Sequence, residues 1–169
     1  MSDVIINKVA ESGLITINLE TFYPKKEIVE IDFKDFLFME LILKEQDFRQ
    51  KLKDLDKELY KDKIVAIVCS ADAIIPVWAY MLMTTTLLET ATSVLMGDKE
   101  MCEKKILLQN IQKINVEEYR DRRVVIKGCG EKHVSEEAYL EITQLLFPVA
   151  KSIMYGEPCS TVPIYKKSK

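Results

Sequence analysis

Three cysteines follow apolar runs at the points where a chain of this composition would leave a strand, and cysteine thiolates can hold a soft metal or attack an electrophile. Cys69 follows Ile64 to Val68, Cys129 follows Val124 to Gly128, and Cys159 lies three residues beyond the run Ser152 to Gly156. Cys102 lies five residues past Gly97. If Cys69, Cys129 and Cys159 converge, three thiolates and one further ligand make a tetrahedral zinc site, with His133, Asp72, Cys102 or a water in the fourth place. A ligand set this soft favours zinc or an iron–sulfur cluster over magnesium or calcium. No C-x-x-C is present, so the set is not a zinc finger or ribbon.

A second chemistry uses the same atoms differently. A cysteine between a strand and a helix N-terminus has its thiolate stabilised by backbone N–H groups and the helix dipole. Cys69, before Ser70-Ala71-Asp72, fits that position, and the single histidine, His133, is the available base for a cysteine-dependent hydrolase or transferase. A third reading makes the cysteines small core residues packed where strands turn into helices. The three stand open together.

What must position these residues is an internal duplication. Residues 60–98 return as 119–157, and the copies share Tyr60/Tyr119, Asp62/Asp121, Tyr80/Tyr139, Thr84/Thr143, Ser93/Ser152 and Gly97/Gly156 in one register, with Cys69/Cys129 one position out of it, Gly128 preceding the second cysteine. Apolar strand, cysteine, helix and apolar strand in each copy predict two βαβ elements with the cysteine at the same corner. The predicted strands are Ile64 to Val68 with Ser93 to Gly97, and Val124 to Lys127 with Ser152 to Gly156. The helices between them run from Pro76 to about Thr90 and from Ser135 to about Ala150. Asp62 and Asp121, each in a Tyr-basic-Asp-basic tetrad, read as turn residues that fix strand entry.

Before the copies, alternation in Leu14 to Leu19 and in Ile28 to Phe33 predicts an antiparallel hairpin around Pro24. The run Phe36 to Leu43 reads as a strand covered on both faces, and Phe48, Leu52, Leu55 and Leu59 as a helix. Met101, Leu108 and Ile111 mark a helix between the copies, and Val162 to Tyr165 a last strand. The segment Gly156 to Ile164, with two prolines and a glycine, reads as a rigid site wall. Together these predict one α/β domain over residues 1–169: a doubly wound, mostly parallel sheet of about five strands with duplicated βαβ units and the N-terminal antiparallel hairpin.

Bulk properties exclude several classes. At 169 residues the chain buries roughly two thirds of its unfolded surface without needing a metal or disulfide. A net charge of −3, with only Lys166, Lys167 and Lys169 clustered, argues against a nucleic-acid surface. The longest uncharged stretch, Ala73 to Leu88, is too short for a bilayer, so no membrane span is expected. Met1-Ser2-Asp3 lacks a secretory n-region, so a cytoplasmic location with reduced thiols is expected. G-x-G-x-x-G, G-x-x-x-x-G-K-[ST], G-x-S-x-G and H-E-x-x-H are all absent. The helix Ile74 to Leu88 has no charge on any side, which predicts a homodimer through that face. Any small-molecule ligand is left unspecified by the motifs.

The strings Gly13 to Ile17, Cys69 to Ile74 with Trp78-Ala79-Tyr80, Val125 to Cys129, and Ala150 to Ile164 resemble an uncharacterised bacterial family associated with Bacteroidetes, domain of unknown function 2480. The likeness covers essentially the whole chain. It implies a small bacterial cytoplasmic protein and carries no activity, cofactor or catalytic residue with it.

Overall fold

Five apolar residues in a row, Ile64-Val65-Ala66-Ile67-Val68, make a strand buried on both faces, and in a computed structural model describing residues 13–128 and 130–168 they form β3. The remaining strands are β1 (Leu14–Asn18), β2 (Ile28–Asp32), β4 (Ser93–Met96), β5 (Arg123–Lys127), β6 (Ser152–Glu157) and β7 (Ser160–Lys166). The helices are α1 (Glu45–Lys53), α2 (Val77–Leu87), α3 (Lys99–Gln112) and α4 (Glu136–Leu146). The protein is a mixed α/β structure with mostly parallel strands.

The strands build two sheets in place of one sheet of about five. The first has order β1-β5-β6-β7, parallel except for β7, and the second has order β2-β3-β4, parallel throughout. The two N-terminal strands exist where expected, but their antiparallel hairpin is replaced: β1 runs parallel to β5, and β2 parallel to β3. Apolar alternation is satisfied equally well by either partner, so the long-range choice escaped a local reading.

The chain divides into two compact units, an inserted unit of Pro24–Glu103 and a flanking unit of Met1–Tyr23 with Lys104–Lys169. Each unit repeats the same order: strand, 3-10 turn, helix, 3-10 turn, strand, helix, strand. In the inserted unit these are β2, Phe33–Phe36, α1, Lys57–Tyr60, β3, α2 and β4; in the flanking unit they are β1, Leu19–Phe22, the part of α3 from Lys104 on, Val116–Tyr119, β5, α4 and β6. Phe48 and Leu52 of α1 precede Leu107 and Ile111 of α3 by the offset that separates Tyr60 from Tyr119. The duplication is therefore about twice as long as residue identity revealed, with one copy inserted in sequence inside the other.

Local chemistry explains the repeat. Asn18 and Asp32 each end a strand and accept the backbone N–H two residues on, at 3.2 Å from Glu20 and 2.9 Å from Lys34, which turns the chain into its 3-10 segment. Asp62 and Asp121 both adopt positive φ, 60° and 56°, and their N–H groups donate to Thr90 and Val149 carbonyls at 3.0 and 2.9 Å. Those bonds fix where β3 and β5 begin, as the sequence predicted. In α1, acidic Glu45 and Asp47 open the helix and Lys51 and Lys53 close it, complementing its dipole while Phe48 and Leu52 are buried.

Each unit has its own core. Phe33, Phe48, Val65, Met83 and Leu87 centre the inserted one, with Phe33 stacked on Phe48 at 5.8 Å between ring centroids. Leu19, Leu107, Ile111, Val124, Ile142, Leu146 and Ile153 centre the flanking one. Fully burying a side chain of this kind contributes about 1.5–3 kcal/mol.

One expected strand is absent. Phe36 to Leu43 is a tight turn, with Met39 and Glu40 at φ 52° and 60° and a single bridge between Phe38 and Ile42. Its apolar side chains at 38, 39, 41 and 42 face solvent instead of a sheet. The helix expected through Leu59 stops at Lys53, and a 3-10 segment follows from Lys57 to Tyr60.

Candidate functional site

In open parallel sheets the loops beyond the carboxyl ends of the strands form the natural ligand site. On the flanking unit this rim is built from the end of β1, the loop from Gly128 into α4, and the end of β6. A cavity of about 680 Å³ opens there, and Gly128, Lys132, His133, Tyr139 and Tyr155 line it together with Glu131 and Glu136.

The loop is held by residues distant in sequence. Glu20, just past β1, accepts hydrogen bonds from the N–H groups of Gly130 at 2.8 Å and Lys132 at 3.1 Å through the same oxygen. Tyr23 donates its phenol to the His133 carbonyl at 2.8 Å, and the Lys132 ammonium lies 4.6 Å from the centre of the Tyr23 ring, a cation–π contact. Gly128 is required by packing: a Cβ there would lie 2.6 Å from the Tyr139 hydroxyl and 3.0 Å from Val134. Lys127 and Glu157 pair at 3.2 Å across the ends of β5 and β6. Ser135 caps α4 by position, as predicted, but its side chain makes no capping bond. Its hydroxyl oxygen is buried without a hydrogen-bond partner among the described residues.

Beside this polar chamber runs an apolar groove of about 390 Å³ between α4 and the β6–β7 hairpin, lined by Leu140, Thr143, Met154 and Ile164 among others. Tyr139 and Tyr155 border both spaces, their rings edge-on at 5.6 Å. Ile164 thus makes the segment after Gly156 part of the groove lining. Gly156 sits at φ 116°, where a Cβ would meet the Ser160 carbonyl oxygen at 2.6 Å, so the hairpin needs glycine there.

The cysteines divide between the units. Cys69, on the inserted unit, donates its thiol to the Ala71 carbonyl at 3.5 Å and packs against the apolar core. Its neighbour Tyr80 is pushed above the usual phenol range, first by burial and then by the Cys69 sulfur. Asp72 is exposed in the same loop. Cys102 is fully buried in α3, with its thiol directed to the Gly97 carbonyl at 3.7 Å. Cys159 is exposed on the turn joining β6 and β7, on the flanking unit that also carries His133. Cys129 lies outside the described residues. Among the described residues, no three His, Cys, Asp or Glu side chains gather closely enough to hold a metal ion.

Glu20, Tyr23, Lys132 and Tyr155 went unnoticed in the sequence. Glu20 and Tyr23 reach the site across 110 residues, and no local spacing announces such a contact. Tyr139 was visible only as a residue repeated in both copies.

A family model described as a protein of unknown function, DUF2480, matches residues 3–167. The chain belongs to that family. No curated protein and no solved structure matches it. Among the described residues of this DUF2480 chain, no helix is long and apolar enough to cross a membrane.

Proposed function

We propose that this DUF2480 protein is a binding protein whose site is the cavity at the carboxyl rim of the flanking unit. The observation that carries this reading is the cavity, whose volume of about 680 Å³ lies in the range of small-molecule sites and whose place is the ligand edge of a parallel sheet. Lys132 and His133 offer donors, Glu131 and Glu136 offer acceptors, and Tyr139 and Tyr155 offer ring surface, a set suited to a small polar molecule with groups of both kinds. Protein-observed NMR of the full chain, titrated separately with acetate, methylammonium and phenol, tests it. At least one probe should shift the amides from Gly128 to Tyr139 and lose that effect in Lys132→Ala/His133→Ala. No response in that loop to any probe defeats the reading.

Zinc held by Cys69, Cys129 and Cys159, with His133, Asp72 or Cys102 as a fourth ligand, is a second reading, supported by each of the three thiols following the carboxyl end of a strand. Near-stoichiometric zinc on protein purified without chelators or added metal, lost on Cys129→Ser, would bear it out. Metal-free protein would end it. A cysteine hydrolase or transferase with Cys69 as nucleophile and His133 as base requires a thiol that alkylates rapidly below about pH 7. The bond from Cys69 to Ala71 and its apolar surroundings favour an ordinary, slow rate.

A further inference from the structure

The duplication supplies an internal comparison for one open edge. In the flanking unit the outer edge of β6 is taken by β7, antiparallel, with Glu157 opposite Ser160 and Ser152 opposite Lys166. In the inserted unit the matching strand is β4, since Ser93 pairs with Ile64 as Ser152 pairs with Arg123. Among the described residues β4 has only β3 as a neighbour. In the flanking unit Ile164 of β7 lines the groove together with Leu140, and Tyr165 packs on Phe147 at 4.7 Å, while Leu140 and Phe147 stay exposed. The apolar residue at this edge that differs between the repeats is Met96, 67% exposed where its counterpart Tyr155, on the strand that β7 pairs, is 39% exposed; Met81 and Leu88, at 65% and 48%, are about as exposed as their counterparts Leu140 and Phe147.

The uncovered surface continues onto α2. Val77, Met81 and Leu88 recur at helical spacing on one stripe, all exposed, and the helix carries no charged residue, while Trp78 beside them packs on Phe48 and lies under the Arg49 guanidinium. Exposed apolar side chains gathered on one charge-free face are the kind of surface that interfaces use.

We propose that a second copy of this chain takes the place that β7 fills in the other repeat: β4 pairs antiparallel with the β4 of its partner about a two-fold axis, and α2 packs beside its own copy. Two observations select a second copy as the occupant. The pairing at this edge in the flanking unit is antiparallel, the direction that a two-fold imposes on a strand meeting itself. A two-fold also brings residues near the axis close to their own copies, so a charge there would face its like, and α2 offers none. With four residues β4 supplies few hydrogen bonds, so the association draws mainly on the α2 stripe.

Sedimentation of the full chain at about 1 to 100 µM tests this. The expected result is a dimer whose dissociation constant rises about 100-fold or more in Met81→Glu and in Met96→Glu, because each change sets like charges across the axis. Leu140→Glu, the matching change on the flanking unit, should leave the dimer intact. Mixing Met96→Glu with Met96→Lys should restore association, which misfolded chains would not do. The β4 amides should exchange more slowly with deuterium as concentration rises. A monomer at the highest concentration overturns the proposal, as does a dimer indifferent to charge at 81 and 96, or one weakened equally by Leu140→Glu.

Discussion

Glu20 and Gly130 stand 110 residues apart in the chain and are joined by a 2.8 Å hydrogen bond from the Gly130 N–H to the Glu20 carboxylate, which also takes the Lys132 N–H. This carboxylate sets the shape of the loop along the cavity. Glu20→Ala leaves both N–H groups without their acceptor and should cost about 1 kcal/mol, the usual net worth of such bonds near water. Glu20→Gln keeps an acceptor and should cost less. Hydrogen exchange at Gly130 and Lys132 reports the change directly. If exchange at both amides is the same in Glu20→Ala as in the parent, the clamp has no such role.

Gly128 and Tyr139 should be coupled in stability. Gly128→Ala places a methyl 2.6 Å from the Tyr139 hydroxyl oxygen, so either the loop or the ring must move. Removing that oxygen with Tyr139→Phe relieves the nearest clash. A double-mutant cycle by urea unfolding should show about 1 kcal/mol of favourable coupling. Strict additivity would mean that the loop, not the ring, gives way.

Acid stability should depend on Asp32. Burial pushes its carboxyl up, but bonds from Ser70 and from the Lys34 and Ser70 N–H groups, with the Lys34 charge, outweigh it and hold the folded group below its ordinary 3.8. A depressed folded value stabilises the protein above the unfolded pKa, and the contribution is lost as pH falls through the folded one. Asp32→Asn keeps the turn-capping oxygen, as Asn18 shows in the other copy, and removes the titration. Urea midpoints measured from pH 7 down to about pH 2 should show the parent ahead at neutral pH and level with Asp32→Asn at the acid end. A gap that stays constant across the range would refute this.

The left-handed turns at Asp62 and Asp121 offer matched tests in the two units. Replacing either aspartate by valine, which resists positive φ, should cost about 2 kcal/mol. Replacement by glycine should be neutral or stabilising by less than about 1 kcal/mol, since relief of strain is partly offset by a freer unfolded chain. Thermal melts of the four variants check this, and equal tolerance of valine and glycine would show that the turns carry no strain.

Much of the local structure was legible. The strands β3 to β6, the helices α2 and α4 and the Asp62 and Asp121 turns follow from periodicity and residue type, because these features depend on neighbours within a turn or two. The Phe36 to Leu43 segment was misread because Met39-Glu40 carries none of the Asn or Gly chemistry that usually marks a left-handed turn. The first half of the duplication was missed because matched residues such as Ile17 and Ile31, or Phe22 and Phe36, though identical, do not share the spacing of the second half, which the inserted unit interrupts. Of the residues at the candidate site, His133 was legible as a candidate base or ligand and Tyr139 only as a repeated residue, while Glu20, Tyr23 and Tyr155 were not legible as site residues.

What the residues settled by themselves is the kind of element that most stretches form and the family to which the chain belongs. Only the tertiary structure decided that β1 crosses to β5 while β2 goes to β3, and so that two sheets exist and Glu20 and Tyr23 reach the Gly128 loop. The reason is physical. A strand's alternation encodes which face it buries and not which neighbour it joins. The choice among partners of equal apolar character rests on packing between residues about a hundred positions apart in the chain.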